Sequence, residues 1–73
     1  MFSQRLRNAS HVRQFLISDA GTSGWEVREE IDSEVVRLIR YFDWHRVERA
    51  QREFEREVLL LRERGWTEAA SEP

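Results

Sequence analysis

From Trp25 to Asp32 apolar and charged side chains alternate, with Trp25, Val27 and Ile31 on one side and Glu26, Arg28, Glu30 and Asp32 on the other. Period-2 alternation is the pattern of a strand with one buried face. Before it, Val12–Ser18 carries the run Phe15-Leu16-Ile17 and is followed by the turn-forming residues Asp19, Gly21, Ser23 and Gly24, which predicts a first strand. After it, Val35–Phe42 is apolar on both sides: Val36, Leu38 and Phe42 on one, Val35, Ile39 and Tyr41 on the other. Beyond Asp43 the period changes from two to that of a helix. Taking Phe54 as reference, Val47, Ala50, Val58 and Leu61 all fall within roughly 40° at about 100° per residue, a narrow core stripe. Asp43 suits the N-cap of a helix running from Trp44 to about Arg64. Gly65 suits the left-handed C′ position behind it, with Trp66 packing back on Leu61.

The predicted fold class is α+β: a three-stranded antiparallel β-meander with one long C-terminal amphipathic helix packed on one face. Residues 12–66 form this single domain. Residues 1–11 read as a flexible arm, or a partly helical one, because Phe2, Leu6, Ala9, Val12 and Leu16 also fall at helical spacing. Residues 67–73 read as a disordered tail. Two registers fit the link between the second and third strands. A Ser33-Glu34 loop pairs Ile31 with Val36 and Trp25 with Phe42, while an Asp32-Ser33 loop pairs Trp25 with Arg40. The first is preferred for its complementary apolar and charged pairs. In both, Val36, Leu38 and Phe42 share the core side, leaving Val35, Ile39 and Tyr41 on the side away from the helix.

Composition narrows the function classes. Seventy-three residues hold one domain, and so small a core leaves little surplus stability unless something else contributes. Cysteine is absent, so disulfides and thiolate metal sites are excluded and a partner chain becomes the economical support. No stretch approaches the ~20 apolar residues of a membrane span, and the apolar run Phe15–Ile17 is too short for a signal peptide. Cytoplasmic residence and no membrane contact are therefore expected. The twelve basic residues are all arginine, and they alternate with acids in blocks along the chain. Residues 26–34, for example, hold five acids against Arg28. Alternating blocks argue against a strong nucleic-acid binder, which needs one continuous basic field.

The densest segment is Arg40-Tyr41-Phe42-Asp43-Trp44-His45-Arg46, with Arg49 one turn on. Interleaved rings and guanidinium groups can stack bases and hold phosphates. The competing reading is that Phe42 and Trp44 close the core while the arginines pair with the acids of residues 26–34. Asp43, His45 and Glu48 fall within two helical turns, but no H-E-x-x-H or paired E-x-x-H pattern accompanies them. No catalytic residue, metal ligand or cofactor site is assigned. Two placements break local rules. Arg46 and His45 sit in the first helical turn, where positive charge is disfavoured. Glu29 shares the face of Trp25, Val27 and Ile31, where an unpaired carboxylate is costly. A Glu29–Arg40 pair joined by Arg46 would resolve both.

The segments Gly24–Arg28, Val35–Arg37 and Tyr41–Ala50 resemble a group of short bacterial proteins, over roughly residues 15–66. The resemblance implies a natural free-standing domain and carries no activity or ligand. Three antiparallel strands with a helix are also similar to AP2 and integrase-type DNA-binding domains, although the acids expected on the outer sheet face depart from the basic surface those use.

The expected function is therefore a small non-enzymatic interaction module, self-associating or docking on another protein. Its expected surface is Leu59, Leu60 and Trp66 at the helix end with Val35, Ile39 and Tyr41 on the sheet. Leu59 and Leu60 lie about 140° and 120° to either side of Phe54, off the core stripe. A helix longer than its strands is expected to overhang the sheet at that end, where either the chain's own arm, through Phe2 and Leu6, or a second copy would cover the patch. The alternative is a weak nucleic-acid-binding module using Arg5, Arg7 and Arg13 of the N-terminal segment with Arg40, Tyr41, Arg46 and Arg49.

Overall fold

The structure, a computed structural model, describes residues 2–69. Four strands follow one another as an antiparallel meander, β1 (Phe2–Asn8), β2 (His11–Asp19), β3 (Trp25–Ile31) and β4 (Glu34–Tyr41). Helix α1 (Trp44–Glu63) then packs on one face, and a short β5 (Thr67–Glu68) returns to pair with β1. The sheet order is β4-β3-β2-β1-β5.

The α+β class with an antiparallel sheet and one long helix is as expected, but the sheet has five strands rather than three. Both extra strands come from segments read as an arm and a tail. Residues 2–8 form a strand rather than a helix or an arm: β1 pairs with β2 over its whole length, from Phe2 opposite Ile17 to Asn8 opposite His11. The hairpin between them turns on Ala9-Ser10, with Ala9 at φ 55°. Left-handed turn positions usually carry Gly or Asn, so this turn gives no signal in sequence. Residues 67–68 pair with Arg7 and Leu6, and residues 70–73 lie outside the described residues. The wider sheet also removes the expected overhang on the core side, since Val58 and Leu61 in the last turns of α1 are buried.

The core is one cluster in which Leu6, Phe15, Ile17 and Val27 meet Val47, Ala50, Phe54, Val58 and Leu61. Every residue of the predicted helical stripe is buried, so the narrow apolar face is what docks α1 on the sheet. Phe54 lies at its centre, its ring 5.0 Å from that of Phe15 and 6.0 Å from that of Phe2. Burying one such ring contributes about 1.5–3 kcal/mol. Both helix ends form as expected. The Asp43 carboxylate accepts from the His45 N–H at 3.0 Å. Gly65 has φ 97°, its N–H donates to the Arg62 carbonyl at 3.1 Å, and the Trp66 N–H donates to the Leu61 carbonyl at 3.0 Å. These two bonds make a Schellman cap, and Trp66 packs against the core behind it.

The β3–β4 hairpin corrects the expected register. Its turn is Asp32-Ser33, both at positive φ, so Ile31 faces Glu34. A bulge between Glu29 and Glu30 then adds one residue to β4, and Trp25 comes to face Tyr41. One inserted residue exchanges the two faces of a strand. Ile39, opposite Val27, and Tyr41, packed on the core, therefore lie on the helix side, and Leu38 and Val36 are exposed. At the opposite end of this hairpin Gly24 is buried at φ 83°, where an added Cβ would stand 2.4 Å from the Tyr41 carbonyl oxygen.

Candidate functional site

Of the hollows along α1, two on opposite sides differ in chemistry. The first lies on the β1 side, has a volume of about 270 Å³ and is lined by Phe2, Gln4, Glu55, Val58, Leu59 and Arg62. Strand β1 brings Phe2 there by folding back along β2, and α1 brings Val58 and Leu59 from its last turns. Leu59 is 63% exposed and Leu60 is 42% exposed, both off the core stripe as the helical wheel requires. Trp66 is half-buried against the core and adds less to this surface than expected. The side-chain oxygen of Gln4 is buried beside the groove with no hydrogen-bond partner among the described residues.

The second groove, on the β4 side, has a volume of about 280 Å³ and is lined by Arg37, Tyr41, Arg46, Arg49, Ala50 and Glu53. Arg37 lies 3.8 Å from Glu53, with its guanidinium 5.8 Å from the centre of the Phe54 ring. Farther along this flank the acids are already paired. Glu29 accepts from Arg13 at 2.8 Å, and the same guanidinium lies 3.7 Å from Glu57. The expected Glu29–Arg40 pair does not form, because the bulge places Arg37 rather than Arg40 on the helix side. Arg40 lies instead 3.7 Å from Glu26. Arg46 and Arg49 have no ion-pair partner among the described residues.

The candidate nucleic-acid contacts are thus divided. Tyr41, Arg46 and Arg49 converge in the second groove. Arg13 is held by carboxylates under α1, and Arg40 pairs with Glu26. Arg5 and Arg7 alternate with buried Leu6, so they point away from the helix, and they stand three strands from β4. Phe42 does not close the core: it is 74% exposed, while Trp44 rests on Trp25 with ring centres 5.4 Å apart. Of the sheet residues expected at a protein interface, only Val35 is exposed, at the free β4 edge, and Ile39 and Tyr41 are half-buried on the helix side.

Compared with protein families, with curated proteins and with solved structures, the chain matches none.

The helix N-terminus holds the acid–imidazole trio. Asp43 is committed to its cap, and His45 Nδ1 lies 3.8 Å from Glu48. Among the described residues no three of His, Asp or Glu are grouped closely enough to hold a metal ion, and no helix is long and apolar enough to cross a membrane. One carboxyl is clearly perturbed. The Val12 N–H, donating at 2.9 Å, and His11 at 3.0 Å hold Asp32 below the ordinary carboxylate range. This contact clasps the β3–β4 turn to the start of β2. Phe2 reaches the Leu59 surface as the arm reading allows, although as part of a strand. Sequence reasoning missed Arg37 as a groove residue, because its face depends on a bulge that no residue in β4 announces.

Proposed function

We propose that this chain is a small non-enzymatic cytoplasmic interaction module whose outer helix face binds a second copy of itself. One observation carries the reading. The chain's own N-terminal segment, the competing cover for the patch, is already folded into β1 with Leu6 in the core, and Leu59 and Leu60 are still exposed. Soluble monomers tend not to leave paired large apolar side chains in water.

Charge order along α1 supports a second copy in particular. An antiparallel neighbour centred between Leu59 and Leu60 sets Arg56 against Glu63 of the second copy, and Glu63 against its Arg56. All four residues are exposed, so a two-fold arrangement buries the leucines between self-complementary charges. The test is sedimentation equilibrium on a charge-swap series. Arg56→Glu alone should dissociate the dimer, and Arg56→Glu with Glu63→Arg should restore it. A dimer indifferent to both would move the interface elsewhere.

A further inference from the structure

We infer that the groove between β4 and the first turns of α1 is a binding site for a small phosphate-bearing ligand, held by Arg46 and Arg49 with Arg37 and Tyr41. The lining brings three guanidinium groups around about 280 Å³ of space with a single carboxylate, Glu53. That carboxylate lies 3.8 Å from Arg37, so it offsets one charge of the three. Arg13 holds Glu29 at 2.8 Å and lies 3.7 Å from Glu57, so the next acids on the same flank face Arg13 rather than this groove. Arg46 and Arg49 have no carboxylate within 4 Å among the described residues.

Arg46 is the informative member. It stands in the first turn of α1, where its charge opposes the exposed backbone N–H groups of the helix end. A structural explanation requires a nearby carboxylate, and the one expected, Glu29, is bound to Arg13 instead. A residue that breaks a local rule without structural compensation is where function is to be sought. Like charges gathered around one concavity repel until an anion enters. Guanidinium forks match the geometry of phosphate oxygens, and the Tyr41 hydroxyl can donate a further bond.

A small ligand fits better than a nucleic-acid strand. The remaining basic residues do not continue the groove: Arg40 is paired to Glu26, and Arg5 and Arg7 lie on the far side of the sheet. A backbone-tracking site needs successive positive positions along its path.

The experiment uses the full chain and inorganic pyrophosphate as probe, read by amide NMR shifts and by isothermal titration, against sodium chloride of equal ionic strength. The expected result is saturable binding with shifts centred on Tyr41, Arg46 and Arg49. Each of Arg46→Gln and Arg49→Gln should weaken it by about tenfold, the loss of one charge-assisted contact. Arg52→Gln, an exposed arginine outside the groove, should leave it unchanged. Shifts no larger than those with chloride, or an equal loss in Arg52→Gln, would overturn the site. A single-stranded oligonucleotide is run in parallel. If it binds through Arg46 and pyrophosphate does not compete, the small-ligand assignment is wrong and the groove belongs to a nucleic-acid surface. Because Arg46 and Arg49 lie at the opposite end of α1 from Leu59 and Leu60, failure here leaves the dimer proposal intact.

Discussion

The two flanks of α1 are built on the same five-residue stripe, yet one sets Phe2, Val58 and Leu59 beside one arginine and one glutamate, and the other gathers three arginines. The stripe from Val47 to Leu61 is so narrow that it decides how the helix docks and nothing about what lies beside it. The neighbouring strand decides that. On one side β1 supplies Phe2, which extends the hydrophobic surface past Val58 to Leu59. On the other side the bulged β4 supplies Arg37 and Tyr41, which turn the flank into a cationic groove. A bulge in one strand and an inconspicuous turn after another therefore set the character of both surfaces, and each also feeds the core, through Tyr41 and Leu6.

Phe54→Ala should erase the contrast altogether. Phe54 touches Phe2 on one flank and lies under Arg37 on the other. Its truncation should destabilise by about 4 kcal/mol in urea unfolding. A loss near 1 kcal/mol would mean that the two flanks are organised independently of the shared stripe.

Gly24→Ala should sharpen the contrast by damaging one flank. The new methyl group would meet the Tyr41 carbonyl at 2.4 Å, and φ 83° is itself unfavourable for alanine. Strain and displacement together should cost about 3 kcal/mol. In amide NMR spectra the shifts should concentrate on Tyr41 and the second groove, with Leu59 little changed. Equal disturbance on both flanks would show that the β3–β4 register is not what builds the cationic side.

The smallest effect is a pH dependence remote from both flanks. The Asp32 carboxyl is held below its ordinary pKa of 3.8 by the Val12 N–H and by His11. Its contribution to stability is therefore full above that value and is lost as pH falls through the lower folded value. Asp32→Asn keeps an oxygen for Val12 but removes the titration. Comparing unfolding midpoints of the two proteins from neutral pH to about pH 3 isolates this group from the other carboxyls. The gap should close on acidification. A constant gap would assign the contact to hydrogen bonding alone.

These surfaces were unequally legible in the sequence. The helix could be read almost entirely, because its stripe, Asp43 cap and Gly65-Trp66 stop all rest on residues within a few positions of one another. The exposure of Leu59 and Leu60 followed from the same wheel. Strand β1 was hidden by a turn at Ala9-Ser10 and by Phe2 and Leu6 fitting a helical period as well as an alternating one. In β4 apolar residues fall on both faces, so alternation does not say which face is inside. The bulge at Glu29/Glu30 then reversed the expected answer. Arg46 and Arg49 stand out in the sequence because they belong to the dense arginine and aromatic segment, and Arg37 does not, because its face is settled by long-range pairing.

The self-association of the outer helix face is tested most directly by sedimentation equilibrium on the wild-type chain, alongside a Leu59→Glu, Leu60→Glu variant. Both leucines are outside the core, so the variant should fold with an unchanged helical spectrum. The wild type should sediment with the mass of two chains at hundreds of micromolar protein, an association strength ordinary for a small apolar interface. The variant should sediment as one. A wild-type mass of a single chain at that concentration, or a variant that remains dimeric, would contradict the proposal.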